Sequence, residues 1–345
     1  MRVLFLSDTH LGFDLPMRPR VSMRRRGPDF FANYEMALER ALEAGVDAVV
    51  HGGDLFYRSR IPHRLVDMAF APLVRVAGAG VPVYLVPGNH EQSAIPRSLL
   101  ASSPNIHVFD RPRTFVLEAR GCTLALCGFP YEREGIRTSF RRVLERTGWR
   151  DVKADGHVLC MHHCVEGATV GPVGFTFRHG HDVVRADDIP AGLAAVLCGH
   201  VHRFQVLTKG LRAPVFYAGS IERTSFAEKG EMKGYLDLEI GYKVNRWSFH
   251  ELPARPMVQL DLYVGGLRRE EVRSWLELSL GRLPDESVVK IGVHGEVSAE
   301  AAPLLRAGAL RALAPDMNVS LSFGRVDGVI RSGPRWRSPD GPRPA

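Results

Sequence analysis

Short apolar runs recur along the first 250 residues, and helical patterns separate several of them. The first run, residues 2–7, has the continuous apolar character of a strand buried on both faces of a sheet. Similar runs span residues 46–50, 83–86, 123–127, 158–161, 194–198, 214–217 and 235–240. Because the runs are interspersed with helical segments, the pattern predicts an α/β fold.

Three segments between these runs have helical periodicity. Apolar residues recur at helical spacing from Phe31 to Leu42, and Asp29 is a suitable N-terminal cap for that helix. Gly45 predicts where the helix ends. A second helix is predicted from Pro62 to residue 77, and a third near residues 138–147.

The pattern changes at a pair of prolines, Pro253 and Pro256, which resist a continuous helix or a central strand. We therefore predict one domain over residues 1–252 and a small α+β domain over residues 253–330. The second domain is predicted to have strands at 259–264, 288–293 and 319–323 and helices at 269–280 and 298–312. Residues 331–345, rich in Pro, Arg, Ser and Gly, are predicted to be a disordered basic tail.

The composition is that of a folded protein. Apolar residues make up 45% and charged residues 24%, which excludes wholesale disorder and collagen-like designs. Five cysteines are too few for a disulfide framework and no secretion signal is evident, so we expect a cytoplasmic protein. The most apolar stretch, residues 68–86, is interrupted by Arg75 and by prolines and glycines, so no membrane span is predicted.

The net charge of +7 lies mostly in the first 250 residues and comes almost entirely from arginine. The densest basic run, residues 17–26, contains five arginines and no acidic residue. This run is either a solvated loop or a contact for a polyanion. The candidate DNA contacts are Arg18, Arg20, Arg24, Arg25 and Arg26.

Polar residues follow five of the predicted strands. The carboxyl ends of strands in an open α/β sheet face one crevice, so these side chains should converge. Each motif alone is typical of a turn, whereas five together are hard to obtain by chance. In chain order the residues are Asp8, His10, Asp54, Asn89, His90, His162, His163, His200 and His202.

Seven of these residues form a plausible metal-binding set: two aspartates, one asparagine and four histidines. They supply oxygen and imidazole donors without thiolate, which suits Mn, Fe or Zn rather than Ca. With one shared carboxylate they fill four positions on each of two ions. Two ions about 3.5–4 Å apart can generate a hydroxide that attacks phosphorus and can neutralise phosphoryl charge. Gly53, Gly88 and Gly199 precede donors, where a missing Cβ lets the backbone approach a ligand.

The ordered motifs at residues 8–12, 53–56, 88–91 and 199–202, with His162, resemble the signature of calcineurin-like metallophosphoesterases. Residues 216–223 and 252–262 further resemble the SbcD branch, the nuclease subunits of DNA double-strand-break processing complexes. The resemblance covers residues 1–265 well and the remainder in outline. It implies a four-layer α-β-β-α sandwich with a small C-terminal cap.

The resemblance also implies roles for individual residues. Asp8, His10, Asp54 and His202 would hold one ion, and Asp54, Asn89, His162 and His200 the other. His162 is preferred because it is the first polar residue leaving its strand, and His163 remains the alternative. His90 would contact the phosphate and protonate the leaving oxygen. Glu91 stands where the family usually has Asp and could orient His90.

The function implied by the resemblance is hydrolysis of DNA by a two-metal phosphodiesterase, usually with manganese, in DNA repair. The cap would restrict which DNA ends reach the crevice. A small phosphodiester or phosphomonoester is the alternative substrate. A non-catalytic scaffold is disfavoured because every donor position and His90 are present.

The resemblance brings in one further partner, because SbcD-type chains dock on an SbcC-like coiled-coil ATPase through a segment after the cap. In this sequence only a short tail follows the last predicted strand, so we leave ATPase docking open. A homodimer is also left open.

Overall fold

The computed structural model describes residues 1–15, 26–43, 45–91, 103–133 and 135–323. The chain divides into two compact units, residues 1–254 and residues 255 onward, so that the division falls between Pro253 and Pro256. The tail predicted at residues 331–345 lies outside the described residues, and the capping role of the second unit stays a prediction. No helix in the described part of the chain has the length and apolar character needed to cross a membrane.

The first unit contains two six-stranded sheets. The strands of the first sheet are β1 (Arg2–Leu6), β2 (Ala48–His51), β3 (Val83–Leu85), β4 (Ile106–Val108), β15 (Gly234–Ile240) and β16 (Val244–Glu251). Their order across the sheet is β16-β15-β1-β2-β3-β4. Strands β1 to β4 are parallel, and β15 and β16 extend the sheet in antiparallel fashion.

The strands of the second sheet are β5 (Arg113–Ala119), β6 (Cys122–Gly128), β7 (Gly156–His162), β12 (Ala195–Gly199), β13 (Gln205–Leu207) and β14 (Val215–Tyr217). Their order across the sheet is β13-β14-β12-β7-β6-β5. Strands β6, β7, β12 and β14 are parallel. Two short pairs complete the unit: β8 (Cys164–Val165) with β11 (Val183–Val184), and β9 (Thr169–Val170) with β10 (Phe175–Thr176).

Within the described residues, three helices cover the outer faces of the two sheets. Helices α1 (Gly27–Glu43) and α2 (His63–Gly78) pack on the first sheet, where Phe30 and Phe70 join the core with Leu4. Helix α3 (Ile136–Glu145) packs on the second sheet through residues such as Phe140. The predicted four-layer α-β-β-α architecture is confirmed.

The inner faces of the two sheets share a third apolar core. Val3 and Phe5 from the first sheet lie in the same buried cluster as Leu126, Val158 and Leu197 from the second. These strands are therefore apolar on both faces, which explains why their sequences are continuous apolar runs.

The second unit has three parallel strands, β17 (Met257–Tyr263), β18 (Val288–His294) and β19 (Asn318–Phe323). Helices α4 (Arg269–Leu280) and α5 (Ala307–Leu313) connect them. Leu262, Ile291 and Leu276 lie in a core of the unit's own.

Some local predictions were wrong. Helix α1 begins at Gly27, so Asp29 lies in its first turn and not at its cap. The helix predicted at 298–312 is divided into a 3-10 turn, Ala302–Leu305, and α5, and the backbone of Arg306 between them is extended. Strand β16 was missed because most of its residues are exposed and form no apolar run.

We expect Phe5→Ala to lower the free energy of unfolding by about 3–5 kcal/mol, because it removes a fully buried ring between the sheets. Urea denaturation of the metal-free protein measures this change. Met36→Ala on the exposed part of α1 is the control and should change stability by less than about 0.5 kcal/mol. Equal stabilities for the two variants would contradict the shared inner core.

Candidate metal centre

The structure brings all seven predicted ligands together where strands of both sheets end. Parallel strands place their carboxyl ends on one edge, and loops leaving β1, β2, β3 and β12 meet the end of β7 there. Asp8 and His10 follow β1, Asp54 follows β2, Asn89 follows β3, His162 ends β7, and His200 and His202 follow β12. Asp8, Asp54 and His162 are fully or almost fully buried.

One half of the cluster is formed around Asn89. Its Oδ1 lies 3.1 Å from His162 Nε2 and 2.9 Å from His200 Nδ1. Asp54 Oδ2 lies 3.4 Å from the same Nε2 atom. Four donor atoms from four different loops or strand ends thus face a common point.

The other half is formed around His10 and His202. Their Nε2 atoms are 2.9 Å apart, and Asp8 Oδ1 lies 3.9 Å from His202 Nε2. His10 also has ligand atoms of Asp54 and His90 within 4.8 Å. Asp54 therefore lies between the two halves, as expected for a shared carboxylate.

The donor atoms fit divalent ions. Atoms held at about 2.1 Å from one ion at ordinary coordination angles lie roughly 3.0–3.4 Å from each other, which is the spacing in the Asn89 half. The two facing imidazole nitrogens can share only one proton when neutral, whereas an ion between them would satisfy both lone pairs. The set contains only oxygen and nitrogen donors, as Mn, Fe and Zn accept.

The charges of the cluster favour a bound cation. Burial raises the pKa of Asp8, whereas the neighbouring histidines, His162 foremost, outweigh burial and hold the pKa of Asp54 below its usual range. Burial lowers the pKa of His162, but the charge of Asp54 outweighs it and raises that pKa to about 9. Burial and the charge of His162 lower the pKa of His200 to about 3, so its imidazole is neutral and can offer a lone pair to a metal ion.

Strained backbone accompanies four of the clustered residues. Asp8, His10, Asp54 and His200 all have positive φ, at 51°, 44°, 52° and 83°. Non-glycine residues adopt this region at a cost and are found there mostly where function requires it. Hydrogen bonds offset part of the cost: Asp8 accepts the His200 backbone N–H, and the amide of His10 donates to the Asp54 carbonyl at 3.0 Å.

Glycines before the ligands make room for them, as the sequence predicted. A Cβ on Gly88 would lie 2.2 Å from Asp54 Oδ1, and one on Gly199 would lie 2.7 Å from His162 Nδ1. Either contact is too short for real atoms, so a side chain at these positions would displace a ligand.

The adjacent histidines have different surroundings. His162 contacts Asn89 and Asp54 with Nε2, and its Nδ1 lies 2.8 Å from the Gly52 carbonyl oxygen. His163 points away from the cluster because successive residues of a strand alternate faces. Its ring stacks on Tyr131 at 4.8 Å and accepts a hydrogen bond from the backbone of Glu132. The geometry therefore places His162 with the other donors.

His90 is partly exposed at the mouth of the cluster. Its backbone N–H donates to Asp54 Oδ1 at 3.0 Å, and its Nδ1 lies 2.5 Å from the Tyr57 carbonyl oxygen. The hydrogen bonds of the Glu91 carboxylate go to backbone groups, and its role in orienting His90 stays a prediction. Glu91 is buried and accepts the backbone N–H groups of Phe56 and Gly88, both at 2.9 Å, so it ties two ligand-bearing loops together.

Arg26 is the one candidate DNA contact that the described residues include. Its guanidinium is buried and donates to Glu222 at 2.8 Å, so contact with DNA would require this ion pair to break. The buried ion pair with Glu222 is by itself a structural role for Arg26 that requires no DNA. Arg18, Arg20, Arg24 and Arg25 lie outside the described residues, and their contact with DNA stays a prediction.

The sequence did not indicate the groups that orient the clustered side chains. The carbonyls of Gly52 and Tyr57 hold His162 and His90, and no side-chain motif could have indicated them. Glu228 and Lys233 lie behind His202, with Glu228 Oε1 at 3.4 Å from His202 Nδ1. They lie 26 or more positions from His202 in the chain, in a segment without a recognisable pattern.

Comparison with known proteins identifies relatives of the first unit. The family model described as calcineurin-like phosphoesterase matches residues 1–204, more than half of the chain. A solved dimetal phosphatase from Danio rerio is 12% identical, with a TM-score of 0.43 over 70% of this chain and 93% of that one.

Two similar curated proteins are each named DNA double-strand break repair protein Mre11. The protein from Methanosarcina mazei is 27% identical over 86% of this chain and 46% of its own length. The protein from Thermoplasma acidophilum is 21% identical over 86% of this chain and 78% of its own length. The chain thus spans about half the length of the first relative and most of the second.

We expect Glu91→Gln to lower the free energy of unfolding by about 1–3 kcal/mol, because the amide NH₂ cannot accept one of the two backbone N–H groups. Burial, followed by the charge of Asp54, raises the pKa of Glu91 to about 8, so the substitution changes hydrogen bonding more than charge at pH 7. Urea unfolding in EDTA measures the effect. Glu35→Gln on the exposed side of α1 is the control, and a Glu91→Gln variant equal to it would contradict the tie between the loops.

Proposed function

Since the chain belongs to the calcineurin-like phosphoesterase family, we propose that it is a two-metal-dependent phosphodiesterase that hydrolyses DNA. The observation that carries this proposal is the pair of donor groups that share Asp54. The Mre11 name of its relatives supports DNA as the substrate.

Two sets of residues would hold the ions. Asp8, His10, Asp54 and His202 form one set, and Asp54, Asn89, His162 and His200 form the other. Divalent ions bound there would supply the Lewis acidity and activated water that displacement at phosphorus requires. Manganese is the proposed metal, and Fe and Zn suit the same donors.

His90 is proposed as the group that protonates the leaving oxygen. The Tyr57 carbonyl accepts the proton of Nδ1, which fixes the ring and turns Nε2 toward the mouth of the cluster. Nε2 is 3.8 Å from Asp54 Oδ2, and the side chain is 32% exposed, so a substrate oxygen can reach it. General acid catalysis of this kind contributes about 10²–10⁴-fold.

Several observations favour a polyanionic substrate over a small one. The net charge is +7, and the arginine-rich run at residues 17–26 directly precedes α1. A small phosphodiester or phosphomonoester is the second candidate, because the cluster itself contains nothing that selects DNA. Partnership with an SbcC-like ATPase and homodimer formation are further proposals that rest on the resemblance alone.

The substrate is tested with the full chain loaded with Mn²⁺, on duplex DNA, single-stranded DNA and an aryl phosphodiester. We expect cleavage of DNA. Turnover of the aryl phosphodiester without DNA cleavage at any enzyme-to-DNA ratio would reject DNA while retaining the phosphoesterase. Failure on all three substrates with two ions bound would support a non-catalytic scaffold.

We expect Asp54→Asn to abolish cleavage and to lower the bound manganese from two ions to one or none, because it removes the shared carboxylate. His90→Asn should lower turnover about 10²–10⁴-fold and leave both ions bound. Metal content by elemental analysis and single-turnover cleavage rates distinguish the two effects. Parallel loss of metal in both variants would show that His90 is a ligand, as its proximity to His10 and Asp54 permits.

A further inference from the structure

A fully buried lysine, Lys233, contacts the backbone of His202, one of the clustered residues. The ammonium of Lys233 donates to Glu228 Oε2 at 2.6 Å, to the His202 carbonyl at 2.9 Å and to Glu231 Oε2 at 3.2 Å. These three acceptors use all three N–H groups. Burying an ammonium in this position would cost several kcal/mol without such partners, so the three acceptors compensate for its burial.

Glu228 connects this lysine to a metal ligand. Its Oε1 lies 3.4 Å from His202 Nδ1 and accepts the hydroxyls of Thr224 at 2.7 Å and Ser225 at 3.2 Å. Its Oε2 accepts from Lys233. With its carboxylate fixed from several directions, Glu228 can accept a hydrogen bond from His202 Nδ1–H without moving. The hydroxyl oxygen of Thr224 lies 3.3 Å from the same nitrogen and, because it donates its own proton to Glu228, can also only accept from it.

The consequence for His202 is a defined tautomer. When Nδ1 carries the proton and donates it to Glu228, the lone pair lies on Nε2. Nε2 is the atom that faces His10 Nε2 at 2.9 Å and Asp8 Oδ1 at 3.9 Å. The Nε2 lone pair of His202, which would bind a metal ion, therefore points into the first half of the cluster.

The backbone of the same loop is held by the same network. The His202 carbonyl accepts from Lys233 and from the Ser220 amide at 3.1 Å, and Arg203 donates to Glu231 at 3.0 Å. Ring and main chain of His202 are thus both fixed from one side. Among the described contacts of His162 and His200, none reaches Glu228 or Lys233, so this network does not extend to the second half, where the Gly52 carbonyl contacts His162 instead.

We propose that Glu228 and Lys233 are positioning residues that orient His202 and so set the affinity of one of the two metal positions, leaving the other unchanged. This inference rests on the proposed function in assigning His202 to a metal position. It predicts that substitutions at Glu228 or Lys233 change the metal affinity of one position and not of the other, which the donor residues alone do not require.

The test measures Mn²⁺ binding to the metal-free full chain by titration calorimetry, alongside the electron paramagnetic resonance signal of bound Mn²⁺. Glu228→Gln should weaken one of two binding events about 10–100-fold and leave the other within error of the wild type. Cleavage should return at saturating Mn²⁺, which shows that the substitution affects metal affinity and leaves turnover intact. Glu166→Gln removes the partner of Arg137 in an ion pair of 2.7 Å away from the cluster and should change neither event.

Unchanged binding of both ions in Glu228→Gln would overturn the proposal. Equal weakening of both, in a variant with the native circular dichroism spectrum, would overturn it as well. If that variant does not fold, Glu228→Gln combined with Lys233→Met removes the buried ammonium together with its carboxylate and takes its place. The wild type alone offers a second measurement. In the nitrogen NMR spectrum of the histidine rings of the metal-free protein, His202 should carry a proton on Nδ1. A neutral His202 ring with its proton on Nε2 and none on Nδ1 would also overturn the proposal. Wild-type protein that binds no Mn²⁺ would instead refute the proposed function, so the two failures are distinguishable.

Discussion

The structure depends on the burial of two carboxylates, Asp8 and Asp54, at one edge of two sheets that share an apolar inner core. A buried carboxylate is costly unless positive charge compensates it. The protein supplies only part of that charge, by raising the pKa of His162 and by directing backbone N–H groups at both carboxylates. Divalent cations would complete the compensation, and the donor atoms are already placed to receive them.

Other features of the fold follow from this constraint. Four of the clustered residues adopt positive φ, and the glycines beside them leave no space for a Cβ. Glu91 joins two of the loops, and the apolar core around Phe5 supports Gly52, whose carbonyl holds His162. The fold thus uses stability gained in its cores to maintain a strained and highly charged edge.

Much of this could be predicted from the sequence, because strands buried on both faces appear as apolar runs and their ends carry the ligands. The seven donors were identifiable for that reason. Strand β16 and the small pairs β8 to β11 were not, since exposed or very short strands leave no apolar run. The buried roles of Glu91, Arg26 and Lys233 were also hidden, because they depend on tertiary contacts between distant segments.

Anomalous diffraction from a manganese-loaded crystal would show whether two cations share Asp54. We expect two peaks in the anomalous difference map, one beside His10 and His202 and one beside Asn89, His162 and His200, with Asp54 between them. One peak, no peak, or a peak bound by His163 would contradict it.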